Sequence, residues 1–134
     1  MSTNDTIRDD TPVDEQDFEK LMLAAEAASS RKALQMTAID IRKIASFAEF
    51  FLVCSGTSTR QVQAIADEVM DRLKKDRSSR PLHIEGYEAG TWILLDYGDL
   101  IVHVFTEEAR EFYQLERLWR DADRVAIPEV MTAE

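Results

Sequence analysis

Two stretches of the chain repeat apolar residues every three or four positions, which is the spacing of an amphipathic helix. The first runs from residue 13 to about residue 29, and its apolar positions are Phe18, Leu21, Met22 and Ala25. The second carries the strongest helical pattern of the chain, and its apolar positions are Val62, Ile65, Ala66, Val69, Met70 and Leu73. It follows the turn 55–59, whose serine and threonine hydroxyls are suited to cap the first backbone N–H groups of a helix. We therefore expect two helices that each bury one side.

Shorter apolar runs are typical of β-strands. The run 34–41 alternates in part, whereas 50–54 is continuously apolar and predicts a strand that is covered on both faces. Three further runs, 82–84, 91–97 and 100–105, are separated by glycine-containing turns and predict an antiparallel meander.

A third helix is predicted after the last of these strands. Thr106 is a good N-cap, and Glu107 and Glu108 suit the positive end of a helix dipole. The residues expected on its core-facing side are Ala109, Phe112, Glu116 and Trp119. The order α-β-β-α-β-β-β-α predicts a single-domain α+β fold with a mixed five-stranded sheet flanked by helices.

The length of 134 residues predicts one domain with one core. Residues 1–12 are polar and acidic without periodicity, so we expect a disordered tail there. The folded domain should comprise residues 13–120. Residues 121–134 contain Pro128 and scattered acids, and we expect a loosely held C-terminal tail.

Composition narrows the classes of function. The formal net charge of −10 disfavours tight direct binding of nucleic acid and favours a basic protein as the partner. No apolar run approaches the ~20 residues of a membrane span, and the N-terminus resembles neither a secretion signal nor a transit peptide, so we expect a cytoplasmic protein that binds no membrane. One cysteine and two histidines are too few for an internal disulfide or a structural zinc site, and we expect no cofactor.

One turn raises the question of catalysis. Gly-Thr-Ser at 56–58 lies between a predicted strand and a predicted helix, where a nucleotidyltransferase would hold nucleotide phosphates. Such an enzyme also needs carboxylates that converge on Mg²⁺, commonly two acids one residue apart on a strand. Asp40 is instead followed two residues later by Arg42, and Asp96 and Asp99 are separated by a turn. We therefore interpret the turn 56–58 as a helix cap and expect no catalytic or metal site.

Two reactive side chains lie in apolar segments. His103 shares a strand face with Ile101 and Phe105, and no Ser-His-Asp pattern accompanies it. We interpret it as a hydrogen-bonded structural histidine. Cys54 ends an apolar run, where a free cysteine acts as a small core hydrophobe.

The strand 91–97 has two apolar faces. Alternation places Trp92, Leu94 and Asp96 on one face, and the other face carries Ile93, Leu95 and Tyr97. Helices cover one face, and either the N-terminal helix or a partner protein covers the other. Tryptophan and tyrosine within a polar surround are typical binding hot spots. We predict a partner-binding strip with Trp92 as its anchor, supported by Leu94, and its rim comprises Asp96, Tyr97, Gly98 and Asp99.

Two longer motifs resemble a known family. The first is Phe-Leu-Val-Cys-Ser-Gly-Thr-Ser-Thr-Arg at 51–60, followed by Ala-Ile-Ala-Asp at 64–67. The second comprises Glu-Gly at 85–86, the run Trp-Ile-Leu-Leu-Asp-Tyr-Gly-Asp-Leu-Ile-Val-His-Val-Phe at 92–105, and then Arg110, Tyr113, Leu115, Glu116, Leu118 and Trp119. Together these motifs resemble the ribosomal silencing factor (Iojap-related) family over roughly residues 34–120. The chain departs from that pattern at Gln61, where many relatives carry histidine, and in its acidic N-terminal tail.

The resemblance implies a protein that docks on the fourteenth L-type protein of the large ribosomal subunit. Docking there would block joining of the small subunit and repress translation when nutrients are limiting, as in stationary phase, with no reaction catalysed. The resemblance also implies a fold related to the nucleotidyltransferases, so a divergent enzyme of that class is an alternative. Self-association through an uncovered strand edge, which would give a homodimer, is a third interpretation.

Overall fold

The computed structural model describes residues 14–128, so the predicted tail 1–12 lies outside the described residues. Within this part of the chain the helices are α1 (Glu15–Ser30), α2 (Thr59–Arg77), α3 (Glu107–Tyr113) and α4 (Leu115–Leu118). The strands are β1 (Leu34–Asp40), β2 (Phe50–Gly56), β3 (His83–Glu85), β4 (Trp92–Asp96), β5 (Leu100–Thr106) and β6 (Asp123–Val125).

The strands form one mixed sheet in the order β3-β4-β5-β2-β1-β6. The central pair, β2 and β5, is parallel, and the remaining pairs are antiparallel. The predicted α+β class, the mixed sheet and the antiparallel meander β3-β4-β5 are confirmed. The predicted number of five strands is wrong, because β6 pairs with β1 and adds a sixth within the segment expected to be a C-terminal tail. Two of its three residues are exposed, so no apolar alternation marked it.

Side-chain caps define where the helices begin. Asp14 accepts a hydrogen bond from the backbone N–H of Gln16 at 2.8 Å at the start of α1. Ser58 does the same for the N–H of Gln61 at 3.1 Å at the start of α2, and Thr106 caps α3. The predicted capping roles of the turn 55–59 and of Thr106 are thus confirmed.

The last predicted helix is interrupted. Gln114 adopts a left-handed conformation with φ of 49° and separates α3 from α4, whereas the sequence predicted one continuous helix through Trp119. A non-glycine residue in this conformation has no sequence signal, and its N–H still bonds to the carbonyl of Arg110. Phe112, within α3, is 78% exposed, so its predicted place on the core-facing side is wrong.

The two faces of the sheet have different coverings. Both α1 and α2 pack on the same face, which we call the closed face; its strand residues include Leu52, Ile93, Leu95, Val102 and Val104. The opposite face, which we call the open face, carries Ile39, Phe51, Trp92, Leu94, Ile101 and Phe105. Leu115 of α4, Ala109 of α3 and Ala48 of the loop after β1 pack on this open face. The N-terminal helix therefore does not cover Trp92.

Candidate partner-binding face

The site is built on the open face of the strand pair β4–β5. Trp92 lies opposite Phe105 in the antiparallel register, and Leu94 lies opposite His103. Because side chains alternate along a strand, these four side chains point to the same side of the sheet. The burial of β4 alternates in the same way: Ile93 and Leu95 are fully buried, whereas Trp92 and Leu94 are only partly buried.

Three side chains hold the indole of Trp92. Its ring stacks on Phe105, with 4.8 Å between ring centroids and 27° between ring planes. Tyr113 of α3 lies against it at the same centroid distance, tilted by 47°. The indole Nε1 donates a hydrogen bond of 3.1 Å to Nδ1 of His103. A partly exposed tryptophan is thus already oriented before any partner arrives.

His103 is a buried, neutral acceptor. Its side chain is 4% exposed, and burial lowers the pKa of the imidazole from 6.5 to about 4. Since Nδ1 accepts the indole hydrogen, the single proton of the neutral ring is on Nε2. No acceptor among residues 14–128 lies within hydrogen-bond distance of that Nε2. The predicted role of a hydrogen-bonded structural histidine is confirmed.

Aromatic rings continue from His103 across the sheet. Phe51 of β2 lies 4.7 Å from His103 and 5.2 Å from Trp119, measured between ring centroids. Phe47, in the loop before β2, contacts both Phe51 and Trp119 at 6.2 Å. Trp119 packs against the apolar residues of the open face, in agreement with its predicted core-facing position.

Apolar side chains on the helices and loops that border the open face remain exposed to solvent. The exposed fractions are 46% for Ile44, 59% for Phe47, 78% for Phe112, 52% for Tyr113 and 73% for Leu118. The sequence did not predict this surround: Ile44 and Phe47 lie in the loop between two predicted strands, and the break at Gln114 redirects the helical turn that carries Leu118. A partly exposed tryptophan that rests on buried aromatic rings, with exposed apolar side chains on the bordering helices and loops, is a feature of protein-binding sites.

Comparison with known proteins identifies the family. The model of the family described as "Ribosomal silencing factor during starvation" matches residues 14–134. The chain belongs to the ribosomal silencing factor family.

Relatives within and beyond bacteria share this similarity. A ribosomal silencing factor of Halalkalibacterium halodurans is 41% identical over 114 residues, which is 85% of this chain and 97% of that protein. The chain also resembles the mouse protein named mitochondrial assembly of ribosomal large subunit protein 1, with 37% identity over 75 residues, or 54% of this chain and 33% of that protein. A crystal structure of a Chromobacterium violaceum protein superposes with a TM-score of 0.75 at 33% identity and covers 87% of this chain and 93% of that one.

The residues of the predicted partner-binding strip do not all lie on one face of the sheet. Trp92, Leu94 and Asp96 lie together on the open face, and Asp96 accepts a hydrogen bond of 2.8 Å from the N–H of Gly98 in the following turn. Tyr97 points to the closed face, where it is 6% exposed, and burial raises the pKa of its hydroxyl to about 12.

The C-terminal end of the predicted strip, at Tyr97 and Asp99, contacts Lys20 of α1. The Nζ of Lys20 lies 5.0 Å from the ring centroid of Tyr97 and 3.2 Å from Oδ1 of Asp99. Asp99 is therefore directed toward α1 rather than toward Trp92. The structure brings together three of the six predicted residues, with Gly98 at their edge, and it adds His103, Phe105 and Tyr113.

The turn 56–58 uses its polar groups for local structure. The backbone N–H and the hydroxyl of Thr57 both donate to Oε1 of Gln61, at 2.6 and 2.9 Å. Among residues 14–128, no three His, Cys, Asp or Glu side chains are grouped so that they could hold a metal ion. Within the same part of the chain, no helix is both long and apolar enough to span a membrane.

Cys54 and Arg110 are two buried side chains near the turn 56–58, and they too have structural roles. Cys54 is fully buried, and burial raises the pKa of its thiol to about 12. Arg110, which the sequence marked only as part of the family motif, is 8% exposed and donates to Oγ of Ser55 at 2.9 Å. It also pairs with Glu116 of α4, so it ties α3 and α4 to the end of β2.

Proposed function

We propose that this protein regulates translation by binding the large ribosomal subunit through its open face. The proposed contact is the fourteenth L-type protein of that subunit, at the surface that otherwise meets the small subunit. Occupying this surface would block subunit joining and repress translation when nutrients are limiting. We expect the protein to act in the cytoplasm and to catalyse no reaction.

The observation that carries the proposal is the state of Trp92. Its indole is partly exposed, yet it is already fixed between Phe105, Tyr113 and His103. A large ring that loses little further freedom on binding is well suited to be an interface anchor. Tyr113, which contacts the indole, and its exposed neighbour Phe112 add apolar surface that would help to exclude water from such an anchor.

Charge supports a basic protein as the partner. The net charge of −10 repels the phosphate backbone of ribosomal RNA and attracts a basic protein surface. Glu107, Glu108 and Glu111 are exposed on α3, the helix that supplies Tyr113 to the open face. Acidic groups at the rim would speed association, whereas the apolar anchor would govern dissociation.

Replacing the anchor tests the proposal. We expect Trp92→Ala to weaken binding to purified large subunits by ~2 kcal/mol or more, which is about thirtyfold. Phe18→Ala is the matched control, because Phe18 is an aromatic residue of α1 on the other side of the sheet and is 37% exposed. It should leave binding unchanged. Affinity is measured by co-pelleting, and folding of each variant is measured by thermal denaturation.

The outcomes separate the interpretations. Undiminished pelleting of a folded Trp92→Ala protein would remove the open face from the interface. Self-association through an uncovered strand edge would appear as a dimer of the free protein, so sedimentation of the protein alone accompanies the assay. Micromolar binding of ATP or CTP with Mg²⁺ in calorimetry would favour the nucleotidyltransferase alternative, and we expect none.

A further inference from the structure

The contact between two side chains of the open face has a specific role. We propose that His103 is a positioning residue for partner binding, because its Nδ1 accepts the indole N–H of Trp92 and fixes the ring in the orientation that the partner meets. This inference rests on the proposed function and deepens it. It assigns a role to a buried group that does not itself touch the partner.

The three contacts of Trp92 differ in what they constrain. Phe105 and Tyr113 contact the indole as rings, and ring contacts of this kind tolerate a range of tilts and offsets. The 3.1 Å hydrogen bond to His103 is directional, so it determines which edge of the indole faces the sheet. With that edge fixed, the opposite edge of the ring is the one presented to solvent.

Packing alone does not account for a histidine at this position. The ring lies between Phe51 and Phe105, with centroids at 4.7 and 6.3 Å, a site that a phenylalanine would fill. A histidine there leaves Nε2–H buried without an acceptor among the described residues, which a phenylalanine would avoid. The group that histidine adds and phenylalanine lacks is the Nδ1 acceptor, and Trp92 uses it.

The surroundings of His103 keep its ring neutral, which is the form that can accept the indole hydrogen. An imidazolium has N–H donors on both nitrogens and cannot accept the indole hydrogen. Burial among aromatic rings favours the neutral ring, in agreement with the lowered pKa of His103. The strand register places His103 opposite Leu94, so the indole reaches it diagonally across the β4–β5 pair.

Two substitutions of His103 separate its role as a hydrogen-bond acceptor from its role in packing. His103→Asn keeps an acceptor, because its side-chain oxygen lies near the position of Nδ1. His103→Phe keeps an aromatic ring and removes the acceptor. We expect the phenylalanine variant to bind large subunits about five- to tenfold more weakly, as the loss of one hydrogen bond implies, and the asparagine variant to stay close to wild type. Thermal denaturation confirms that each variant is folded.

A second measurement needs no ribosome. The indole ¹H–¹⁵N resonance of Trp92 in the free protein should exchange slowly with solvent in the wild type and in His103→Asn, and faster in His103→Phe. The indole of Trp119 is an internal control, since its buried Nε1 has no acceptor among the described residues. Its rate of exchange with solvent should be the same in all three proteins.

Each result has one consequence. Fast exchange of the Trp92 indole in the wild type would overturn the proposal even if neither variant folds. Equal binding by wild type and folded His103→Phe, or equal losses in both variants, would also overturn it while leaving the proposed function intact. Failure of the wild type to pellet with large subunits would instead refute the proposed function itself.

Discussion

The closed and open faces of the sheet use similar apolar side chains but differ in what covers them. On the closed face, helices of 16 and 19 residues lie across the strands, and Ile93 and Leu95 are fully buried. On the open face, α3 and α4 have only 7 and 4 residues, and Trp92 and Leu94 remain partly exposed. Two long helices complete a core, whereas two short ones leave apolar surface for a partner.

Adjacent leucines on β4 give the sharpest test of this difference. Leu95→Ala should lower the free energy of unfolding by ~3 kcal/mol, because it opens a cavity under α1 and α2. Leu94→Ala, the matched control on the open face, should cost less than about half of that, because its side chain is partly exposed. Urea denaturation measures both values. Equal losses would mean that the open face is as much a core as the closed one.

Acid should destabilise the open face through His103. Its pKa is lowered to about 4 in the folded protein against 6.5 when unfolded, so its stabilising contribution is present above pH 6.5 and is lost as the pH falls toward 4. Between pH 7 and pH 5, this one group should remove roughly 2 kcal/mol of unfolding free energy.

The control for the acid effect is His103→Phe, which lacks the titrating group. Urea denaturation of both proteins at the two pH values gives the difference in pH dependence, from which the other titrating groups cancel. If the two proteins lose stability equally on acidification, the lowered pKa of His103 does not contribute.

Salt should weaken partner binding only modestly if the open face binds through an apolar anchor. We expect affinity for large subunits to fall by less than about tenfold between 50 and 200 mM salt, whereas a contact with many phosphates would lose roughly a thousandfold or more. Co-pelleting across a salt series measures the slope. A steep slope would make charge rather than Trp92 the main source of affinity.

The sequence predicted the closed face better than the open one. Regular spacing marked α1, α2 and the long strands, because burial on one side leaves a periodic pattern. The covering of the open face depends on the left-handed turn at Gln114, which has no periodic signal. Alternation correctly placed Trp92, Leu94 and Asp96 together. Alternation also places Tyr97 on the opposite face. Its inclusion in the predicted strip rested on its position next to Asp96 in the sequence, which does not determine the face.

On the closed face, the acidic side chain of Asp17 at the start of α1 lowers the stability of the folded protein when it is charged. Burial raises the pKa of Asp17 to about 7, and hydrogen bonds with the carboxylates of Asp99 and Glu49 add to the rise. The folded state therefore binds this proton more tightly than the unfolded state, whose value is 3.8. The stabilising contribution of the proton is complete below pH 3.8 and is lost as the pH rises through 7.

Asp17→Asn should therefore stabilise the protein most at pH 8 and progressively less toward pH 4. Asparagine keeps hydrogen-bonding groups but has no charge to repel the neighbouring carboxylates. We expect a rise of no more than about 3 °C in Tm at pH 8, because solvent screens a partly exposed group. Glu15→Gln removes one charge from the same helical turn and is the control. If it raises Tm equally, relief of general negative charge explains the gain, and the contact of Asp17 with Asp99 and Glu49 does not.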